Sequence, residues 1–418
     1  MKSFKLCIIL AITIFIGACT GNTDNKTVSI TGKIDGLVFK GKYEKQKDTI
    51  FFSYNNINGE RSRDTILVVD GQLLFKKELE IVGLTRGRIF MPMDTVTKWV
   101  VNGYYPTAVS RIDFLMYPGA KLNIEGSIKD YVDAYAFDGG VNDKLAELAK
   151  LTHILENEAV NAQVKIGLSS YFHSSRFADL SEEEILAKEE EKGIVRLTDV
   201  EAEELASKIE VLNMQSQELK IQFIKDNPDS DAAPYILEGI SRGLEYEDYK
   251  ALYKGLSEKA KTNSFGSVIA TKLAAIEGTK IGNPAPAISG TTVNDKEFKL
   301  EQLKGKVVLI DFWGTWCGPC MQGMPKLKEL NELYKDDLAI VGIASDQEAS
   351  WRKGIEEHKL NWIHLLDAKG DIALNNYNIT GFPTKFLIDR EGVIRFKEIG
   401  ENEESELEEV LETLLIKQ

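Results

Sequence analysis

The most constraining feature of the sequence is a pair of cysteines, Cys317 and Cys320, separated only by Gly-Pro. The segment before them, Lys306–Phe312, is an apolar run of strand length, and the segment after them repeats apolar residues at helical spacing to about Tyr334. The cysteines therefore stand where the chain passes from a buried strand into a helix. This arrangement favours an α/β domain with a mixed sheet.

The start of a helix is a place where a thiol ionises readily. Unpaired backbone N–H groups and the helix dipole favour an anion there, which lowers a cysteine pKa from about 8.5 toward roughly 7 in motifs of this kind. Cys320 follows one turn later, so its sulfur faces that of Cys317. Pro319 suits the first turn because that position needs no N–H partner. We predict an exposed nucleophilic thiolate at Cys317 and a shielded resolving thiol at Cys320.

The first residues of the chain have the pattern of an export signal. Lys2 and Lys5 precede Leu6–Ile16, an apolar run shorter than the roughly 20 residues that a membrane-spanning helix needs. We interpret residues 1–18 as a signal peptide that is removed from the mature protein.

The end of this segment resembles a bacterial lipoprotein box. Ile16-Gly17-Ala18-Cys19 would place a lipid on the thiol of Cys19, and residues 19–27 would form a polar tether. The alternative is plain secretion, with cleavage by an ordinary signal peptidase near Ala18. The expected location is the cell envelope, on the periplasmic side, with the protein lipid-anchored to a membrane.

The count of cysteines strengthens the assignment of the pair to chemistry. The chain has four, of which Cys7 would leave with the signal and Cys19 would carry the lipid if the lipoprotein box is used. An exported protein whose remaining cysteines are only Cys317 and Cys320 has no structural disulfide framework. The pair is therefore a candidate redox centre.

The charge of the chain excludes one class of partner. Its net charge is −14, and such a surface repels phosphate backbones, so we predict no binding of nucleic acid. It also offers no basic patch for anionic lipid, so attachment to a membrane would rest on the lipid anchor.

The period of the apolar residues divides the chain into three parts after the tether. Residues 28–135 alternate apolar and polar side chains and contain an Asp70-Gly71 hairpin signal, which predicts a small antiparallel β-sandwich. Residues 136–279 have helical spacing, with Asn142 as an expected N-cap, and predict a helical middle region. Residues 280–418 alternate strands and helices.

The C-terminal part resembles thioredoxin, and within that family the membrane-anchored TlpA/ResA branch. The motifs that carry the resemblance are Asp311-Phe312-Trp313-Gly314-Thr315-Trp316-Cys317-Gly318-Pro319-Cys320, then Met324-Pro325, then Gly381-Phe382-Pro383-Thr384, together with the entry residues Ile281-Gly282 and Ala285-Pro286. Residues 28–130 resemble the β-rich module that is joined to such reductases in Bacteroidetes-type lipoproteins.

The resemblance implies a role for each motif residue. Cys317 would attack a substrate disulfide, Cys320 would resolve the mixed disulfide, and Asp311 would accept the proton of Cys320. Pro383 would be a cis-proline beside the sulfurs. The residues expected to bind substrate are Trp316, Gly318, Pro319, Phe382, Pro383 and Thr384. No metal and no cofactor are expected.

The resemblance also implies a direction and partners. A Gly-Pro pair between the cysteines resembles thioredoxin, a reductant with a potential near −270 mV. We therefore expect a protein-disulfide reductase that acts on exported proteins with disulfides, and cytochrome c maturation is one task the family suggests. Electrons would come from a membrane thiol donor of the DsbD/CcdA type.

One position departs from the branch. The TlpA/ResA branch commonly has Glu three residues after the second cysteine, whereas this chain has Gly323. A carboxylate that would tune the thiol pKa is therefore missing, and Asp311 is expected to take over that work.

Four other functions fit parts of the pattern. Cys317 and Cys320 with His358 and His364 have the ligand types of a zinc site, but the spacing between the two pairs is far longer than usual. A peroxidase shares the fold, but Cys317 lies in a Cys-x-x-Cys motif. A disulfide isomerase or oxidase differs from a reductase only in potential. The long N-terminal region also allows a binding or scaffold protein.

Overall fold

The computed structural model describes residues 26–37, 49–92, 97–100, 103–106, 110–128, 131–171, 177–402 and 405–416. The predicted signal peptide, Cys7 and Cys19 lie outside this part of the chain. By internal contacts the protein divides into two compact units, Met1–Ser216 and Gln217–Gln418. Within the described residues no helix combines the length and the apolar character that crossing a membrane would require.

The N-terminal unit opens with the expected β-rich region. Its strands are β1 (Thr27–Asp35), β2 (Thr49–Asn55), β3 (Arg61–Val69), β4 (Gln72–Glu78), β5 (Thr85–Phe90), β6 (Thr97–Val100), β7 (Gly103–Pro106), β8 (Arg111–Met116), β9 (Lys121–Ile128) and β10 (Val132–Phe137). Eight of them form one sheet in the order β10-β9-β1-β4-β3-β2-β5-β8, while β6 and β7 pair separately. All the pairs of the large sheet are antiparallel except β1 with β9.

The predicted sandwich takes the form of this single sheet, which curves over one apolar core. The edge strands β8 and β10 contact each other, and the buried side chains of the sheet form one cluster. Val28, Ile30 and Ile34, which alternate in the sequence, are all buried in it. Alternation in the sequence therefore identified the inner face correctly.

The Asp-Gly hairpin is confirmed. Strands β3 and β4 pair up to Val69 and Gln72, and the two residues between them have φ of 49° at Asp70 and 77° at Gly71. Positive φ at both central positions is the conformation that joins twisted antiparallel strands most directly.

The helical region is also confirmed. Its helices are α1 (Val141–Ser169), α2 (Glu182–Lys192), α3 (Asp199–Asp226), α4 (Ala232–Ile240), α5 (Tyr246–Gly255), α6 (Glu258–Thr262) and α7 (Ser264–Gly278).

The expected N-cap of α1 is wrong. Gly140 occupies that position, and Asn142 lies inside the helix with a buried side chain. Its amide accepts a hydrogen bond from the N–H of Leu115 and donates one to the carbonyl of Leu115, both at 2.8 Å. Asn142 therefore serves the backbone of β8, a tertiary role that the local sequence does not reveal.

The C-terminal unit contains the mixed sheet that positions the cysteines. The strands are β11 (Ser289–Thr291), β12 (Glu297–Lys299), β13 (Val307–Trp313), β14 (Leu338–Ala344), β15 (Ile363–Leu366), β16 (Thr384–Ile388) and β17 (Ile394–Ile399), and the helices are α8 (Gly318–Leu333), α9 (Glu348–Glu357) and α10 (Leu407–Ile416). Five strands form one sheet in the order β15-β14-β13-β16-β17. Strands β13, β14 and β15 are parallel, and β16 and β17 are antiparallel additions. This is the thioredoxin-like α/β fold that the sequence predicts.

Candidate active site

The cysteine pair lies at the N-terminus of α8, directly after the central strand β13. Cys317 is the N-cap, and its Sγ accepts a hydrogen bond from the backbone N–H of Cys320 at 3.2 Å. The two sulfurs form a disulfide with an S–S distance of 2.01 Å. The predicted exposure of Cys317 is wrong for this oxidised form, because Cys317 is only 5% exposed and Cys320 only 3%.

Trp316 forms the exposed rim of the site. It is 62% exposed, and its indole N–H donates to the carbonyl of Ser345 at 2.8 Å. Its ring meets that of Phe382 edge to face, with 5.3 Å between the centroids. Gly318 and Pro319 are also exposed. These side chains and the open helix start form the surface that a substrate can reach.

The loop before β16 contains the expected cis-proline. The Phe382–Pro383 peptide bond is cis, and the carbonyl of Pro383 accepts a hydrogen bond from the N–H of Gly400 at 2.7 Å. Thr384 is fully buried, and its hydroxyl donates to the carbonyl of Gly381 at 2.7 Å. Thr384 therefore holds the loop in shape, which corrects its expected direct contact with substrate.

Asp311 lies within the core under the cysteines. Leu309 and Trp313, its neighbours on the same face of β13, belong to the apolar cluster that contains Cys317 and Cys320. Asp311 is 2% exposed, and its Oδ1 has no hydrogen-bond partner within the described structure. Burial raises the pKa of Asp311 to about 7, although the charge of Lys385 lowers it and that of Glu401 raises it further. A carboxyl with such a pKa can exchange a proton at physiological pH.

Two charged residues of the site escaped the sequence analysis. Lys385 is the cross-strand partner of Asp311 in β16, and its Nζ lies 2.7 Å from Oε2 of Glu401, which follows β17. A lysine inside the apolar run after Pro383 was a usable signal. Glu401 gave none, because it stands in an acidic stretch that predicts only solvated surface.

The missing side chain at position 323 has a structural counterpart. A Cβ built on Gly323 would lie 3.1 Å from both carboxylate oxygens of Glu401. A carboxylate therefore does lie beside α8 one turn after Cys320, but it comes from a different part of the chain.

The four residues considered above for a zinc site do not form one. His364 is fully buried, where its ring packs against those of Trp313 and Trp362, and burial lowers its pKa to about 3. Across the described ranges, no three side chains of metal-ligating type come together.

Comparison with known proteins places the C-terminal part in context. The family model described as Redoxin matches residues 280–412. The chain is 35% identical over 139 residues to the thioredoxin-like protein YneN of Bacillus subtilis, which covers 32% of this chain and 81% of that protein. It is 35% identical over 140 residues to the thiol-disulfide oxidoreductase ResA of Bacillus cereus, which covers 33% of this chain and 80% of that protein.

A solved structure adds a further match. The thioredoxin domain of a thiol-disulfide oxidoreductase from Bacteroides vulgatus is 36% identical, and the match covers 98% of that chain and 32% of this one with a TM-score of 0.30.

Proposed function

The chain belongs to the thioredoxin-like thiol-disulfide oxidoreductases, and from that premise we propose that it reduces disulfide bonds of exported proteins while lipid on Cys19 holds it at a membrane. The observation that carries the proposal is the position of the Cys317–Cys320 disulfide, at the start of α8 and on the same face as the buried Asp311. A disulfide at this place can open and close without unfolding the domain that holds it.

The reaction balances as a two-electron exchange. The thiolate of Cys317 attacks one sulfur of the substrate disulfide, that bond breaks, and the first substrate thiolate leaves and takes a proton. Asp311 accepts the proton of Cys320, and the Cys320 thiolate attacks Sγ of Cys317. The second substrate thiolate then leaves, so the substrate is reduced and Cys317 and Cys320 are oxidised to their disulfide.

The cycle needs a dithiol reductant on the same side of the membrane. We assign this role to a membrane thiol donor of the DsbD/CcdA type, whose two thiols become a disulfide as the enzyme is reduced. Disulfide-bonded apocytochrome c is one substrate that would place the enzyme in cytochrome c maturation. The rim formed by the exposed Trp316 and Pro319 and the partly buried Phe382 supports a protein substrate, because aromatic side chains at a surface suit peptide contacts.

The decisive experiment measures turnover and potential together. We expect the mature chain with Cys19→Ser to reduce insulin disulfides and to have a potential of about −270 mV, whereas Cys317→Ser abolishes turnover. A potential above roughly −180 mV would make the protein an oxidase or isomerase instead. No turnover by the reduced wild-type dithiol would refute the enzymatic proposal as a whole.

The substrate can be identified by trapping. Cys320→Ser removes the thiol that resolves the intermediate, so Cys317 should stay joined to its substrate and mass spectrometry can identify the partner. The double variant Cys317→Ser/Cys320→Ser is the matched control, because it keeps the surface and loses the nucleophile. Adducts that persist in the double variant would not be substrates of this site.

A further inference from the structure

Three charged side chains lie together beneath the cysteines. Asp311 and Lys385 face each other across β13 and β16, and the ammonium of Lys385 lies 2.7 Å from the carboxylate of Glu401. The Lys385 side chain is only 8% exposed, while that of Glu401 is 39% exposed. Glu401 therefore lies on the solvent side of the ion pair, and Lys385 lies on the side of the buried Asp311.

The pair lies on the face of the sheet that carries the cysteines. Side chains alternate between faces along a strand. Lys385 shares its face with Leu387, which belongs to the apolar cluster of Cys317 and Cys320, whereas Phe386 belongs to the cluster on the opposite face. The charges therefore lie on the same side of the sheet as the reacting sulfurs.

Gly323 leaves space for the carboxylate of Glu401. Gly323 is buried on α8 one turn after Cys320, and a side chain there would approach both carboxylate oxygens to 3.1 Å. That distance is tighter than an ordinary van der Waals contact. The carboxylate of Glu401 therefore occupies the space that a side chain at position 323 would need.

We propose that Glu401 and Lys385 are positioning residues that control when Asp311 can take the proton of Cys320, and that Gly323 is glycine to admit the Glu401 carboxylate. The inference rests on the proposed function, since it needs Cys320 to act as the resolving thiol. Both residues are proposed to act through Asp311 and not by contact with the substrate.

The two charges act on Asp311 in opposite directions. Burial raises the pKa of Asp311, the positive charge of Lys385 lowers it, and the negative charge of Glu401 raises it. From β14, the neighbour of Asp311 is Gly342, and the ring of His364 from β15 lies over it. Burial lowers the pKa of His364 to about 3, so it adds no charge, and α8 contributes the two cysteines. Loss of the Glu401 charge should therefore lower the pH above which Asp311 can accept a proton. Loss of the Lys385 charge should raise that pH.

The experiment follows the two steps separately. The reduced mature chain reacts with the aromatic disulfide dithiobis(nitrobenzoate). Its disulfide yields two coloured nitrothiobenzoate ions, which are released one after the other. The first release reports the attack by Cys317, and the second reports the attack by Cys320 on the mixed disulfide. Rates of both phases are measured as a function of pH.

We expect the acid limb of the second phase to move in opposite directions in two variants. Glu401→Gln should move it to lower pH and Lys385→Met to higher pH. Each shift should be roughly 1 pH unit, as expected when a charge close to a carboxyl is removed. Lys385→Arg should keep the wild-type profile because it keeps the charge. Gly323→Ala should move the acid limb in the same direction as Glu401→Gln but by less, since its Cβ would shift the carboxylate and leave the charge in place.

A second ion pair at α8 provides a matched control. Glu408 of α10 pairs with Lys326 of α8 at 2.8 Å on the exposed side, so Glu408→Gln removes an equivalent charge away from Asp311. This variant should leave both phases unchanged.

The inference is wrong if the second-phase limb is unmoved in Glu401→Gln, or if Glu401→Gln and Lys385→Met move it in the same direction. Glu401→Gln alone decides the matter if Lys385→Met does not fold, because Glu401 is partly exposed and its replacement leaves the core intact. These outcomes differ from failure of the proposed function, in which the wild-type protein itself would show no second phase.

Discussion

The two sheets of this protein bury different kinds of side chain. In the described strands of the eight-stranded sheet, the buried side chains with a polar group are Ser53, Thr85 and Tyr135, and none of them is charged at neutral pH. The five-stranded sheet and the turns at its strand ends bury several ionisable groups, namely Asp311, His364, Asp367, Lys385 and Asp389. One sheet is an apolar support, and the other contains charges within its core.

The buried ionisable groups distinguish the five-stranded sheet, because such groups are costly to bury and can exchange protons. Burying an ionisable group costs several kcal/mol unless it is paired or changes its protonation state. Asp311 is buried with one oxygen unpartnered, and burial raises its pKa to about 7. A carboxylate that accepts several hydrogen bonds would have a lower pKa and would be a weaker base. The described strands of the eight-stranded sheet bury no carboxyl, histidine or lysine, and their residues need only pack.

The largest expected effect tests the apolar sheet. Phe52 is fully buried in β2, so Phe52→Ala should lower the free energy of unfolding of the N-terminal unit by about 3–5 kcal/mol. Chemical denaturation followed by circular dichroism measures this. Turnover of the dithiol at low temperature should be unchanged.

Phe51 offers the matched control for that variant. It directly precedes Phe52 in β2, points to the opposite face and is 43% exposed. Phe51→Ala should cost less than about 1 kcal/mol. If instead Phe52→Ala removed turnover while the protein stayed folded, the division of labour between the two sheets would be refuted.

The next effect concerns the buried carboxyl and depends on pH. Because the pKa of Asp311 is about 7 in the folded state and 3.8 as its ordinary value, the folded protein binds the extra proton between these values. Stability contributed by this group is therefore lost as pH rises toward 7. Relative to the wild type, Asp311→Asn should gain up to about 4 kcal/mol between pH 4 and pH 8 while resolution by Cys320 becomes slower.

Asp389 is a second buried carboxyl, and its pKa is shifted in the opposite direction to that of Asp311. Burial alone would raise its pKa, but hydrogen bonds from the backbone N–H of Val393 and from Arg395 lower it overall. Its contribution is present at neutral pH and is lost on acidification, so Asp389→Asn should destabilise the protein at pH 7. Denaturation curves of both variants across pH check the signs, and equal signs would contradict the account of Asp311.

The smallest effect tests a turn that carries no chemistry. Gly71 has φ of 77°, a conformation that a Cβ disfavours, so Gly71→Ala should cost about 1 kcal/mol in the free energy of unfolding. Gly167 in α1 is the control, because no atom lies within 4 Å of a Cβ built there, and Gly167→Ala should stabilise by about 0.5–1 kcal/mol. Neither variant should alter the potential of the dithiol.

Much of the site could be predicted because its signals are local. The strand, the N-cap at Cys317 and the helix depend on residues within a few positions of one another. The cis bond before Pro383 was expected from the resemblance to thioredoxin and not from the local sequence. The prediction failed where burial decided the outcome. Cys317 is covered in the oxidised form and Thr384 is enclosed in β16, because accessibility depends on neighbours from distant segments.

The sequence by itself determined the positions of the two sulfurs, the alternation of the apolar sheet and the Asp70-Gly71 turn, since backbone preference and side-chain period act over a few residues. Only the tertiary structure decided that Lys385 faces Asp311, that Glu401 pairs with Lys385, and that Gly323 leaves room for this carboxylate. Charges act through space, so their partners are chosen by the fold and not by the order of the residues.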